Sequence, residues 1–153
     1  MKKTFKDLKV GDIVYVVYPK NYKDINDDIL EYELLETPII ENYTKTTTKY
    51  THDYWGEETG SYSETKDYIT IEVLGYTYTR TYSKIYYEHM TMSSNIYEDS
   101  PWIEVFANKE DAIDYILKYC NNAIRNNNKT IEKCNHNNYI LTETINKYKA
   151  YGK

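Results

Sequence analysis

The chain is poor in the residues that build disulfide frameworks, phosphate loops and membrane segments. Its 153 residues include two cysteines, too few for a disulfide scaffold, which points to a reducing compartment. The five glycines never take the spacing of a GxGxxG or P-loop motif, which excludes a glycine-rich loop that holds phosphate. No apolar run approaches the roughly 18 residues that cross a bilayer, and no signal-peptide pattern follows Met1. We therefore expect neither membrane insertion nor secretion.

The groups that carry out catalysis are also few and scattered. His52, His89 and His136 lie far apart in the sequence, and neither Cys120 nor Cys134 lies in an activating motif. The two cysteines and His136 form no CxxC pair and have no clear fourth ligand, so no zinc site is predicted. We expect a protein that is not an enzyme, with no catalytic residues, no metal and no cofactor.

The charge balance limits the class of partner. The net charge is −5 and the pI is near 5.3. A protein that binds nucleic acid in general needs a basic surface to neutralise phosphates, so this class is disfavoured. Twenty tyrosines and two phenylalanines supply most of the aromatic bulk. Because each tyrosine hydroxyl needs water or a hydrogen-bond partner, we expect a thin, amphipathic core.

The stretch from Tyr68 to Met92 reads as extended chain throughout. Before Gly75, aliphatic residues occupy odd positions, namely Ile69, Ile71 and Val73, which is the alternation of a half-buried strand. After the glycine the large side chains move to even positions. One inserted residue exchanges the two faces of a strand, so the inversion predicts a β-bulge or a sharp bend at the glycine.

Four side chains follow the inversion at even positions, and we call them the Tyr/Arg face: Tyr76, Tyr78, Arg80 and Tyr82. Tyrosine rings stack on bases and arginine pairs bidentately with phosphate, so the face suits a nucleotide-type ligand. The same residue types dominate protein-binding hot spots. A ligand site, a partner-binding site and plain cover of the sheet all remain open for this face.

A tract rich in Tyr, Thr, Lys and Glu precedes that stretch, with few aliphatic residues. Its two halves can fold back antiparallel about the loop from Gly56 to Gly60, which predicts a hairpin arm at about residues 43–73. The outer half of such an arm has little to bury and should project. Trp55, near the loop, is then either an exposed aromatic anchor for a partner or a ring folded back onto the sheet.

The segment from Phe5 to Tyr18, FKDLKVGDIVYVVY, contains a Val-Gly-Asp turn followed by a β-branched and aromatic run. It resembles the opening of SH3-like and KOW-type small barrels. It is also similar to the start of many small bacteriophage proteins from AT-rich genomes. This resemblance implies a barrel-type first strand and an accessory protein of a phage, located in the cytoplasm of a bacterial host.

The last third of the chain is helical by its pattern. Asn108 is placed to cap a helix whose apolar stripe consists of Ala112, Ile113, Ile116, Leu117, Cys120 and Ile124. A run of asparagines weakens this helix after residue 125. We expect a turn at Cys134 to Asn138 and a second short helix at Tyr139 to Tyr151.

These patterns together predict one α+β domain over residues 1–153. Residues 1–107 form a strongly bent antiparallel sheet or SH3-like small barrel with the projecting hairpin, and residues 108–153 form helices. The site residues we predict are Trp55 and the Tyr/Arg face.

The predicted function is binding without catalysis. The partner is a host protein or a small anionic nucleotide used as a defence signal, contacted through the Tyr/Arg face. The alternative is a virion or assembly protein that contacts viral proteins, or further copies of itself in a homo-oligomer, through the hairpin arm.

Overall fold

The computed structural model describes residues 2–23, 29–82, 87–94 and 99–151. The side chains of Tyr82, Ala150 and Tyr151 are outside this description. The chain forms two compact units, Met1–Asp114 and Tyr115–Lys153.

Within the described residues, six antiparallel strands and one long α-helix make up the fold. The sheet has the strand order β4-β3-β2-β1-β6-β5 and curls into a half-barrel. This confirms the predicted α+β class and the bent antiparallel sheet. The elements are β1 (Ile13–Pro19), β2 (Tyr32–His52), β3 (Glu58–Val73), β4 (Tyr76–Tyr82), β5 (His89–Met92), β6 (Ile103–Phe106) and α1 (Lys109–Tyr151).

The core lies on one face of the curled sheet and follows the alternation of the strands. β-Branched residues favour this pleated, half-buried setting, and Phe5 from a short 3-10 turn joins them. As predicted, a turn at Gly11 (φ 91°) leads into β1. The main fully buried members of the core are Phe5, Val14, Val16, Ile39, Ile69, Ile71, Tyr78, Ile103 and Val105.

Gly75 lies in a two-residue turn, so the prediction of a bulged or bent continuous strand is wrong here. β3 ends at Val73 and β4 begins at Tyr76, and these two residues pair in an antiparallel ladder. Leu74 (φ 48°) and Gly75 (φ 85°) both have positive φ, which is the signature of a type I′ hairpin turn. A two-residue turn pairs odd positions with even ones, and it therefore produces the same inversion of the pattern as a bulge.

β2 and β3 form the predicted hairpin, and their ladder extends to His52 opposite Glu58. β1 stops pairing with β2 at Pro38, and β4 stops pairing with β3 at Asp67. Beyond these points, among the residues that the structure describes, β2 and β3 pair only with each other. We call this two-stranded part, residues 43–67 with its loop, the arm; most of its side chains are exposed.

Helix α1 is continuous from Lys109 to Tyr151, so the predicted turn at residues 134–138 and the separate second helix are wrong. Asparagine weakens a helix without terminating it, and α1 contains neither glycine nor proline. Asn108 binds the backbone of Lys3 through both side-chain atoms, at 2.9 Å and 2.7 Å. No helix of the described chain has both the length and the apolar character needed to cross a bilayer.

Tyr78 is part of the core. It is fully buried opposite Ile71, and its hydroxyl donates a hydrogen bond to the carbonyl oxygen of Pro101 at 3.0 Å. Burial raises the pKa of this phenol to about 12, because the phenolate would lose its hydration in the core.

The turn between β3 and β4 predicts opposite effects for two substitutions. A side chain at Gly75 would meet no atom within 4 Å, so Gly75→Ala should destabilise only through its backbone, by about 1 kcal/mol. Leu74 is exposed and also has positive φ; Leu74→Asn should stabilise by up to about 1 kcal/mol because asparagine tolerates this region. Urea unfolding measures both changes.

Gly60→Ala is the matched control for the turn. Gly60 lies in β3, and an added Cβ would be 3.5 Å from Thr51 Oγ1, an ordinary contact. We expect no loss of stability from this substitution. Equal destabilisation by Gly60→Ala and Gly75→Ala would contradict the special role of positive φ at the turn.

The raised pKa of Tyr78 predicts a loss of stability in alkaline solution. The folded protein keeps this proton to about pH 12, whereas an unfolded tyrosine ionises near pH 10. The stabilisation is therefore complete below pH 10 and is lost as the pH rises towards 12, on the order of 2 kcal/mol. Unfolding of the wild type and Tyr78→Phe from about pH 8 to about pH 11.5 measures the difference. An identical pH dependence in both proteins would refute it.

Candidate binding surfaces

Asp53 organises the loop at the end of the arm, residues 53–57, which we call the tip. Its carboxylate Oδ1 accepts hydrogen bonds from the backbone N–H groups of Trp55 and Glu57, both at 2.9 Å. Its own backbone N–H donates to the carbonyl of Glu57 at 2.8 Å, and its carbonyl accepts from the N–H of Gly56 at 3.1 Å. Gly56 takes a φ of 83°, which favours glycine. The hydrogen bonds within the tip therefore give it a defined shape.

Two aromatic rings project from the tip into solvent. Tyr54 is 94% exposed and Trp55 is 82% exposed, the highest values among the large apolar side chains that the structure describes. Their rings meet edge to face, with centroids 5.7 Å apart and planes at 88°. Trp55 thus lies at the end of the arm and does not fold back onto the sheet.

Polar cross-strand pairs hold the arm together. Threonine hydroxyls bond across the ladder. Glu64 lies 3.4 Å from the ammonium group of Lys49 on the opposite strand and 3.4 Å from that of Lys66 on its own strand. Exposed pairs of this kind contribute roughly 0.2 to 1 kcal/mol each, so the arm has little stability of its own. The hydroxyl pairs are Thr46 with Thr65 at 3.0 Å and Thr51 with Thr59 at 2.9 Å.

The structure separates the members of the predicted Tyr/Arg face. Tyr78 is buried in the core, so we correct its assignment as a residue that contacts a ligand. Tyr76 is half-buried, with its hydroxyl 3.3 Å from that of Tyr22. Arg80 is exposed, and the side chain of Tyr82 lies outside the described residues. The even positions of β4 share a face with the core-facing residues of β3, which explains why the middle of this face is covered.

Arg80 instead bridges the two edge strands of the half-barrel. β4 and β5 are the end strands in the sheet order, and Arg80 Nη1 donates a hydrogen bond to the carbonyl oxygen of Thr91 across the gap. Two adjoining hollows of about 240 and 350 Å³ share these two residues. We call the pair of hollows the Arg80 cleft; its lining includes Arg80, Tyr87, His89, Thr91, Ser93 and Trp102.

One wall of the Arg80 cleft is a fixed hydrogen-bond network. A carboxylate oxygen of Glu104 binds both the Nε2 of His89 and the hydroxyl of Thr91, the latter at 2.7 Å. The His89 ring also stacks on Phe106, with centroids 4.2 Å apart. The cleft therefore presents a guanidinium beside the held imidazole ring of His89 and the rings of Tyr87 and Trp102, a combination suited to an anion that carries a flat ring.

Two exposed aromatic residues were missing from the sequence-based site. Tyr54 is adjacent to Trp55 in a polar loop. Two neighbouring aromatic residues in such a loop already indicate an exposed aromatic pair. Trp102 is 69% exposed and is out of phase with Ile103 and Val105, which face the core. The alternation of β6 therefore identifies Trp102 as an outward-facing residue.

No further chemical centre is evident in the described chain. Among the residues that the structure describes, no three His, Cys, Asp or Glu side chains are grouped so that they could hold a metal ion. The tip and the Arg80 cleft are therefore the features from which a function can be proposed. In comparisons with known proteins, no family model, no curated protein and no solved structure matches this chain.

Proposed function

We propose that this protein acts by binding, without catalysis, and that the tip of the arm engages a partner protein. The observation that carries this proposal is the exposure of Tyr54 and Trp55 on a loop held by Asp53. Tyrosine and tryptophan dominate interface hot spots because they bury a large area at a low entropic cost. A preorganised loop also loses little freedom when it binds.

The composition of the arm supports the same proposal. Its outer half contributes no residue to the buried core, which ends near Ile69 on β3. A ribbon with so few apolar contacts is marginally stable by itself. A partner that covers the tip would supply the apolar burial that the arm lacks.

The setting follows from the likeness of residues 5–18 to small phage proteins. In that setting the protein is phage-borne, acts in the cytoplasm of a bacterial host, and binds a host protein whose activity it blocks. The alternative partner is a viral protein, in which case the arm joins the chain to the virion or to an assembly intermediate. Both forms of the proposal use the tip as the contact.

Trp55→Ala is expected to abolish partner capture. Losing a hot-spot tryptophan weakens an interface by more than about 2 kcal/mol, or roughly thirtyfold. Tagged wild-type and variant proteins, expressed in the natural host during infection, can be compared by quantitative mass spectrometry of the captured proteins.

Trp102→Ala is the matched control for that comparison, because Trp102 is also an exposed tryptophan but lies outside the arm. The partner is a protein retained by the wild type and Trp102→Ala and lost with Trp55→Ala. Recovery of the same proteins by all three would refute the role of the tip. Purified particles then separate the host-protein form of the proposal from the virion form. A virion protein copurifies with the particles and is lost from them when residues 48–63 are trimmed, whereas a protein that blocks a host factor is absent from particles.

The Arg80 cleft supports a second candidate function, binding of a small anionic nucleotide that serves as a defence signal. The supporting observation is that Arg80 lies between two adjoining hollows next to Trp102, Tyr87 and His89. Its guanidinium can pair with a phosphate, and the rings can stack on a base. This candidate keeps Arg80 from the sequence-based site and replaces the buried Tyr78 with Trp102.

For this candidate, Arg80→Ala is expected to remove nucleotide binding. Calorimetry with ATP and with cyclic dinucleotides measures the affinity, and a loss of at least about tenfold is expected because charge-assisted pairs are worth about 1.5 to 3 kcal/mol. Arg125→Ala is the matched control, since the chain contains no other arginine. An equal effect of both substitutions, or no binding by the wild type, would exclude the nucleotide function.

A further inference from the structure

The part of α1 in the second unit repeats its apolar residues with a strict period of seven. Starting from Leu117, positions a and d of successive heptads can be assigned without a gap up to Tyr148. Eight of these ten positions are apolar or cysteine, and the other two are asparagine. Position a is occupied by Leu117, Ile124, Ile131, Asn138 and Ile145, and position d by Cys120, Asn127, Cys134, Leu141 and Tyr148.

The period identifies the kind of surface that can cover this stripe. A straight helix has 3.6 residues per turn, so a strict heptad stripe drifts by about 20° per heptad around it. A sheet or a flat surface cannot follow such a drift over several heptads. A second helix that supercoils with the first can follow it along its whole length.

The aliphatic residues of the stripe are more than half exposed. Leu117, Ile124, Ile131, Leu141 and Ile145 are each between 54% and 59% exposed. Nine asparagines also lie between Lys109 and Tyr151, and asparagine is a poor helix former. Helices draw most of their stability from the packing of an apolar face, and the aliphatic residues of this stripe keep more than half of their surface exposed.

The charges point to an identical helix as the partner. Positions a and d form the seam along which two coiled helices meet. In residues 117–148 every Lys, Arg and Glu lies outside this seam, at position b, c or f. Lys149, at position e, follows the last apolar residue. The flanking positions e and g, which select partners by charge, contain only asparagine, threonine and alanine in residues 121–144. The seam therefore has no charge that would repel a second copy and none that would recruit a partner of opposite charge.

The two asparagines of the seam are also self-complementary. In a parallel pair in register, Asn127 and Asn138 each lie opposite their own counterparts. In an antiparallel pair with full overlap, Asn127 lies opposite Asn138 of the second helix. Either orientation thus pairs each polar side chain with another that can hydrogen-bond to it, and a helix of unrelated sequence would leave it facing an apolar residue.

We propose that residues 117–148 of α1 form a two-stranded coiled coil with the same segment of a second copy of this chain. β-Branched isoleucine at position a with leucine at position d favours two strands in parallel coiled coils; three of the five a positions are isoleucine, and Leu141 occupies a d position. The narrow two-in-seven stripe distinguishes this seam from a helix that lies on a lipid surface, which needs a broader apolar face and commonly carries Trp or Phe.

The experiment compares two isoleucines of the same helix in the full-length chain. Ile131 lies at position a, whereas Ile140 lies at position c, outside the seam, and both are about half exposed. Sedimentation equilibrium should show the wild type and Ile140→Glu as dimers and Ile131→Glu as a monomer, with association weakened by at least about tenfold. The helix of the wild type should also melt at a higher temperature as protein concentration rises, followed by circular dichroism.

Several results would overturn the coiled coil. A monomeric or trimeric wild type would do so, as would equal disruption by Ile131→Glu and Ile140→Glu. A dimer that survives Ile131→Glu but is lost when residues 48–63 are trimmed would place the contact in the arm. A monomer that sediments with phosphatidylglycerol vesicles through Ile131 would assign the stripe to membranes. The Ile131→Glu and Ile140→Glu comparison leaves Trp55 and the tip intact, so its failure and the failure of the proposed function of the tip are distinguishable.

Discussion

The pairing of β2 with β3 is the interaction on which both the core and the arm depend. Near the turn end of β3, the ladder positions Ile39 against Ile71 inside the half-barrel. Further along, the same ladder continues with threonine, lysine and glutamate, and it leaves the sheet because β1 and β4 have ended. One hairpin therefore supplies a buried layer at one end and an exposed loop at the other, and its register shifts between Ile39 and Glu41 and again between Thr51 and His52.

The sequence divides its aromatic residues between these two settings. Tyr78 buries its ring and satisfies its hydroxyl on a backbone carbonyl, which is how a core short of phenylalanine gains volume without an unpaired polar atom. Tyr54 and Trp55 take the opposite position, since both are largely exposed and their rings meet edge to face. Large rings are thus buried in the body and exposed at the tip, where hydrogen bonds to Asp53 hold the loop that carries them.

Local pattern was sufficient to predict the sheet class, the arm and the first strand, because alternation and turn residues act over a few positions. It was not sufficient at Gly75, where a bulge and a two-residue turn give the same inversion of odd and even residues. The side of the sheet that Tyr78 faces depended on which strands lie opposite, information that no local window contains. The turn predicted at residues 134–138 was wrong because asparagine lowers helix propensity without ending a helix, and α1 contains neither glycine nor proline. Trp102 could have been found from the alternation of β6.

Because the arm is polar and buries no core residue, its length can change without disturbing the half-barrel. Side chains alternate with a period of two, so removing or adding an even number of residues on both strands leaves every remaining side chain on its own face. Since the arm takes no part in the core, such changes leave the half-barrel untouched and move the tip by about 3.3 Å for each residue on a strand. The length of the hairpin thus sets the distance between the tip and the half-barrel, and this distance can change in evolution without a change in the fold.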